Sequence, residues 1–161
     1  MTNPMAKASQ LINCPIEEAF NAFVDPGKIT QFWLASTSAP LSQNAKVTWH
    51  FLVPGAVETA VVDEFQPARL IAFTWSDGLK VRLEFSEQSP GKTRVAVEAQ
   101  GFLGNDVVDQ AVNATEGFSI VLCDLKTFLE SGKSANLVRA KAELIAASAA
   151  STKRDATSQS R

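Results

Sequence analysis

Few side chains in this sequence could do chemistry, and their spacing narrows the options further. His50 is the sole histidine, so any Ser/His or Cys/His nucleophilic scheme must run through it. It stands in Val47-Thr48-Trp49-His50-Phe51, where strand alternation turns it away from Val47, Trp49 and Phe51 and toward the polar side with Thr48. That is the position of a surface histidine. Cys14 and Cys123 are far apart and neither belongs to a Cys-x-x-Cys or Cys/His cluster. A zinc ion would lack a ligand set, and both cysteines read as small buried hydrophobes rather than as a disulfide. The adjacent acids Asp63 and Glu64 remain. If Val61 and Phe65 point inward, one acid must do so too, and Asp63 is the candidate. An inward carboxylate without a partner has a raised pKa, which is how a general base is made. A strand edge or a bulge at the same place would leave it solvated, the more ordinary situation. Arg69, in Pro67-Ala68-Arg69-Leu70, could bind an anion or hydrogen-bond to loop carbonyls. No phosphate-cradling glycine loop, dinucleotide fingerprint or paired metal-ligand spacing occurs, so no metal or cofactor is implied.

These residues must be positioned by a single domain. A chain of 161 residues can remove about two-thirds of its unfolded surface from water without disulfides or metals. Its aromatic set is unusually apolar, with 10 Phe, 3 Trp and no Tyr. Residues 1–132 carry 9 basic and 15 acidic side chains, whereas residues 133–161 carry 6 basic and 2 acidic. The acidic body should repel a phosphate backbone, which argues against nucleic-acid binding. The opening Met1-Thr2-Asn3-Pro4-Met5 has no basic stretch leading into an apolar run. No segment approaches the roughly 18 apolar residues that span a membrane, so the expected location is cytoplasmic.

Patterning supplies the elements. Ala6–Asn13 reads as a first strand. Pro15, the first-turn acids Glu17 and Glu18, and the stripe Ile16, Ala19, Phe20, Phe23 and Val24 predict a short amphipathic helix. Asp25-Pro26-Gly27 closes it, and a second short helix carries Ile29, Phe32 and Trp33. From 45 to 101 the period becomes two, with turns at Pro54-Gly55, Gln66-Pro67-Ala68, Asp77-Gly78 and Ser89-Pro90-Gly91, as in an antiparallel meander of five or six strands. Asp77-Gly78 predicts a two-residue hairpin with positive φ at both positions. Alternation puts Val47, Trp49, Phe51 and Val53 on one face with Ile71, Phe73, Trp75, Val81, Leu83, Phe85, Val95, Val97 and Ala99. Thr48, His50, Lys80, Arg82, Glu84, Arg94, Glu98 and Gln100 take the other. A sheet greasy on one face needs one cover. Asn105–Ser131 predicts it, as a long helix striped with Val108, Ala111, Thr115, Phe118, Leu122, Leu125 and Leu129 and ended by Gly132. Gly117 in its middle costs about 1 kcal/mol against alanine, which close backbone approach or room for a ligand would explain. Residues 133–149 predict an appended helix, and 150–161 a disordered tail.

This order of elements resembles the helix-grip fold of the START/polyketide-cyclase superfamily. Three segments resemble the branch typified by the C-terminal domain of the activator of heat-shock protein 90 ATPase. They are Pro15-Ile-Glu-Glu-Ala-Phe-Asn-Ala-Phe23, then Glu64-Phe-Gln-Pro-Ala-Arg-Leu-Ile-Ala-Phe-Thr-Trp75, then Glu116-Gly-Phe-Ser-Ile-Val-Leu-Cys-Asp-Leu-Lys-Thr-Phe-Leu-Glu130. The resembling region begins near residue 8 with no chaperone-binding domain before it, so chaperone contact is not expected. The resemblance implies an α+β fold in which a curved antiparallel sheet wraps the long helix, with residues 1–132 forming the domain. It also implies an apolar ligand held between them, with Trp33, Trp49, Phe51, Phe73, Trp75, Phe85, Phe118 and Leu122 as the lining. The same rings could simply fill the core. Three functions follow as alternatives. One is a binding domain for a hydrophobic small molecule. Another is a cyclase or dehydratase using Asp63 as base, and the last is an interaction module that uses the sheet's outer face or the tail helix, with residues 137–145, to contact a chaperone or to form a homodimer.

Overall fold

A computed structural model describes residues 3–159, and side chains through Ser151. The first strand, β1 (Ala6–Ile12), leads into α1 (Ile16–Val24) and α2 (Pro26–Phe32), then β2 (Leu34–Thr37), β3 (Lys46–Phe51), β4 (Val57–Gln66), β5 (Leu70–Trp75), β6 (Lys80–Ser89) and β7 (Lys92–Gln100). The long helix α3 (Val107–Ser131) and a further helix, α4 (Leu137–Gln159), complete the chain. The order is that of the helix-grip fold.

Pro15 stands at the N-cap of α1 rather than inside it, with Glu17 and Glu18 in the first turn, and Ala19, Phe20, Ala22 and Phe23 are buried. Asp25 ends α1 and starts α2, its carboxylate accepting the Gly27 backbone N–H at 2.8 Å. One residue therefore serves both helices, which sets them at a corner across the sheet.

All seven strands form one antiparallel sheet in the order β1-β7-β6-β5-β4-β3-β2. The meander runs from β2 to β7, and β1 pairs with β7, Ala6 opposite Ala99 and Ile12 opposite Thr93. The strand the sequence pattern did not reveal is β2. At four residues it is too short for alternation to show, and it lies at the sheet edge beside β3.

The β5–β6 hairpin also differs from expectation. Trp75 N–H donates to Leu79 O and Gly78 N–H to Trp75 O, both at 2.9 Å, so the loop is Ser76-Asp77-Gly78. Gly78 has φ 89°, and Asp77 is not among the residues of positive φ. Asp77 instead accepts the Leu79 N–H through Oδ1 at 2.9 Å. Its carboxylate stabilises the turn without the strained backbone that a two-residue loop would demand.

The concave face buries Val47, Trp49, Ala60, Val62, Ile71, Phe73, Val81, Leu83, Phe85, Val95, Val97 and Ala99. The convex face carries exposed ion pairs, Arg82 with Glu84 at 2.6 Å and with Glu64 at 3.7 Å. Such pairs contribute little to stability. His50 is exposed on this polar side.

With 25 residues, α3 spans about 37 Å at 1.5 Å per residue. Gly132, at φ 80°, ends it. Its buried stripe starts at Ala111, because Val108, expected to be inward, is 64 % exposed. Along its C-terminal half Lys126 donates to Leu11 O at 2.7 Å and Glu130 accepts the Asn13 N–H at 2.8 Å. These bonds join α3 to the β1 edge. The Lys126 ammonium and the Asn13 N–H hold the Glu130 carboxyl below its ordinary pKa.

The last helix begins at Leu137 and continues to Gln159, past residue 149 and through most of the stretch for which the sequence predicts no order. Residues 160–161 lie outside those described. Among the described residues no helix is long and apolar enough to cross a membrane.

Candidate ligand-binding site

The two predicted outcomes for the aromatic residues, cavity lining and core filling, both occur, in different places. A cavity of about 310 Å³ opens where the sheet, α3 and α4 meet. That is within the roughly 300–1,000 Å³ usual for small-molecule sites. Trp33, Phe51, Trp75 and Phe118, all expected as lining, are brought together on its wall. Trp49, Phe73, Phe85 and Leu122 are not part of that wall. They are at most 4 % exposed and belong to the packed core. Phe85 sits at the far end of the core, its ring 5.2 Å from Phe20 and 5.8 Å from Phe23.

The cavity's rings are held by the core rings behind them. Trp33 packs edge-on against Trp49 at 5.2 Å, and Trp49 against Phe73 at 5.0 Å. Trp75 stacks on Phe118 with 11° between planes at 6.2 Å. Edge-to-face and offset contacts at these distances are the favoured geometries of aromatic pairs, so the wall is stiff.

Apart from Val53 and Gly117, the rest of the lining comes from places the sequence pattern did not mark. The β3–β4 turn supplies Leu52, Val53 and Ala56, Leu79 follows the hairpin, and α3 adds Ala114, Gly117, Ile120 and Val121. The outer wall is α4, through Val138, Lys141, Ala142 and Ile145. The sequence reads residues 137–145 only as part of an appended helix, without a place on the cavity. The only sequence signal for such a place is the spacing of Val138, Ala142 and Ile145, one helical face.

Gly117 is explained by this arrangement. A Cβ built on it meets no atom within 4 Å, so close backbone packing does not require a glycine. Its missing side chain leaves cavity space instead.

Asp124 was not foreseen. It is 1 % exposed, one of two buried polar or charged residues among those described. Its carboxylate accepts from Ser134 Oγ at 2.6 Å, Thr127 Oγ1 at 3.1 Å and the Val138 backbone N–H at 3.2 Å. A buried carboxylate is tolerable when it is so fully bonded. Farther along, Lys141 of α4 pairs with Glu116 of α3. Sequence alone gave no hint of Asp124, because its partners Ser134 and Val138 lie beyond the helix end.

The predicted base is elsewhere. Asp63 is exposed on the convex side, at an irregularity in the β4–β5 register between Val62 and Glu64, and Thr74 Oγ1 donates to it at 2.6 Å. The bulge inserts a residue that breaks alternation, so Val62, not Val61, faces the core. Arg69 is also exposed; its turn is closed by its own backbone N–H bonding Gln66 O at 3.0 Å. Cys14 is buried, and burial followed by the Glu18 charge pushes its thiol up to about 11. Cys123 is only half-buried and also free. It lies beside Ile120, Leu137 and Leu144 in a shallow apolar groove on the other side of α4.

A curved antiparallel sheet gripping a long helix around an apolar cavity defines a domain of the START/polyketide-cyclase class. Within that class, residues 13–130 match the model of the family described as Activator of Hsp90 ATPase homolog 1-like protein, and the chain belongs to that family. No curated protein matches it. Among solved structures it is similar to the protein SSP2350 from Staphylococcus saprophyticus, at 31 % identity over 81 % of this chain and 94 % of that one, with a TM-score of 0.72. It shares its fold with the Aha1 dimer from Colwellia psychrerythraea, at 15 % identity over 83 % and 100 % of the two chains, TM-score 0.72. CalU16 from Micromonospora echinospora, 17 % identical over 91 % and 96 %, has a TM-score of 0.63.

Proposed function

We propose that this protein is a cytoplasmic binding domain for an apolar small molecule, held between α3, α4 and the mouth of the sheet. The observation that carries this reading is the cavity itself, apolar on nearly every side and widened by a glycine in a helix that would otherwise be better served by alanine. The lining contains no Asp, Glu, His or Cys, so a cyclase or dehydratase reading has no carboxylate, imidazole or thiol base at the site. The test is native mass spectrometry of the protein purified from its own host, compared with the same sample after denaturing extraction. A stoichiometric apolar molecule supports the reading. Protein that repeatedly purifies empty, and that binds no member of a hydrophobic compound panel, overturns it.

A second reading is a homodimer through the outer side of α4. Leu137 and Leu144, 37 % and 64 % exposed, border the shallow groove, and a dimer is described for the Colwellia protein of the same fold. Sedimentation velocity of the wild type and of Leu144→Glu tests it. A dimer that the substitution converts to monomer supports it, and a monomer in both cases overturns it.

A further inference from the structure

The wall of the cavity is unequally built. Trp33, Phe51, Trp75 and Phe118 belong to the core or pack against it, whereas the outer side is supplied by α4 through Val138, Lys141, Ala142 and Ile145. Only Ala142 of these four is buried, and Ile145 is 44 % exposed. The helix packs chiefly on α3, and the seam between the two is narrow. The second apolar groove, about 430 Å³, lies on the far side of α4, and Ile120 and Lys141 border both hollows. A helix with open space along both flanks of its contact buries little apolar area, so its seating is weak beside that of the core strands.

What holds α4 differs along its length. Its start is pinned by Asp124, which accepts from Ser134 Oγ and from the Val138 N–H. The link before it turns through two residues of positive φ, Gly132 at 80° and Asn136 at 61°, and hinge motions are absorbed by a few such residues at the ends of elements. One turn into the helix, Lys141 pairs with Glu116 of α3, their side chains 34 % and 54 % exposed. An ion pair so exposed is individually weak. The uneven charge of the chain works in the same direction. The segment 133–161 carries 6 basic and 2 acidic side chains and residues 1–132 carry 9 and 15, so seating α4 on the body brings opposite charges together.

We propose that α4 is a hinged cover of the cavity, which turns about residues 132–136 to admit and release the ligand and is drawn shut by the attraction of Lys141 for Glu116. The inference rests on the cavity reading above and adds the route of entry to it. The aromatic side of the wall stays fixed while the α4 side opens, and the Asp124 network keeps the start of the helix in place as it turns.

The test is stopped-flow fluorescence of the uncharged probe N-phenyl-1-naphthylamine binding to the full-length protein, with loss of binding in Gly117→Leu marking the cavity as its site. Glu116→Gln and Lys141→Met, both at the surface, should each raise the association and dissociation rates together by about twofold to fivefold, the range a surface ion pair contributes. Raising salt from about 0.05 to about 0.5 M should do the same to the wild type and little to either variant. Because the probe carries no charge, salt acts here on the protein alone. In a Cys123→Ala background, Glu116→Cys and Lys141→Cys joined by a short bis-maleimide should slow both rates by about tenfold or more relative to the unjoined protein. Rates that are the same in the variants, at both salt concentrations and after cross-linking overturn the hinged cover and leave the cavity reading intact. A probe that does not bind, or that still binds Gly117→Leu, overturns the two together.

Discussion

Asp124 of α3 caps the start of α4 from outside that helix, its Oδ2 accepting the Val138 backbone N–H at 3.2 Å. The first N–H groups of a helix have no partner within it, and a carboxylate there also meets the positive end of the dipole. Asn136, just before the helix, has φ 61°, and Ser134 Oγ accepts its N–H at 2.9 Å while donating to Asp124. The chain is thereby turned so that Val138 and Ala142 come down on the cavity.

Replacing Asp124 by alanine should therefore strand the Val138 N–H and the Ser134 hydroxyl, and lower stability by about 2 kcal/mol. Asp124→Asn, which keeps an acceptor, should cost less. Urea unfolding measures the loss, and amide exchange at Val138 and Ala142 should speed up more than exchange in β6 and β7. Unchanged exchange in α4 would mean that packing alone holds the helix.

At Gly117 the expected effect depends on the size of the substitution. Alanine meets nothing within 4 Å and should stabilise the protein by up to about 1 kcal/mol, the helix propensity difference. Leucine at the same position should fill the cavity and eliminate binding of hydrophobic compounds while the protein stays folded. Thermal melts and a titration with the hydrophobic compound panel check the two halves separately.

The eight aromatic and leucine positions expected as lining should separate by truncation. Phe73, 0 % exposed and within the packed core, should cost about 3–5 kcal/mol as Phe73→Ala. Phe51, half-buried on the cavity wall, should cost about 1–2 kcal/mol, because part of its surface is already in contact with the cavity rather than with protein. Chemical denaturation of the two variants measures the difference.

Ala68 occupies the turn between β4 and β5 with φ 60°, a left-handed conformation that a Cβ disfavours. Ala68→Gly should raise stability by roughly 0.5–1 kcal/mol, the relief of strain being partly offset by the greater freedom of glycine in the unfolded chain. Calorimetry would detect the upward shift of the melting temperature.

The cysteines should differ in reactivity. The Cys14 thiol, raised from 9.0 to about 11 by burial, should resist alkylation of the folded protein at pH 8 while Cys123 reacts. In the unfolded chain Cys14 ionises from about pH 9, but in the native state it keeps its proton until about pH 11. The unfolded state then binds fewer protons, so stability should fall as pH rises through that window. Cys14→Ala should flatten that portion of the stability profile.

Local chemistry carried most of the architecture into the sequence. Period-two alternation set the concave face from Val47 to Ala99, Pro15 marked the start of α1 and Asp25-Pro26-Gly27 its end, and Gly132 marked the end of α3. Each is a consequence of backbone geometry within a few residues. Alternation failed at Val61–Asp63, where one added residue at a bulge reverses every facing that follows. It also missed β2, because four residues carry too little periodicity to read. The site depended on longer distances. Whether an aromatic ring fills space or borders it is decided by what lies opposite, and Trp75 and Phe73 are alike in sequence but one borders the cavity while the other is enclosed by core. Asp124 could not be told from a solvent-facing acid until Ser134 and Val138 were folded back onto it. The sequence by itself determined the inward faces of β3, β5, β6 and β7, since those follow from the strand period. Only the tertiary structure decided where the interior is hollow, because a cavity is the shape left between elements distant in the chain.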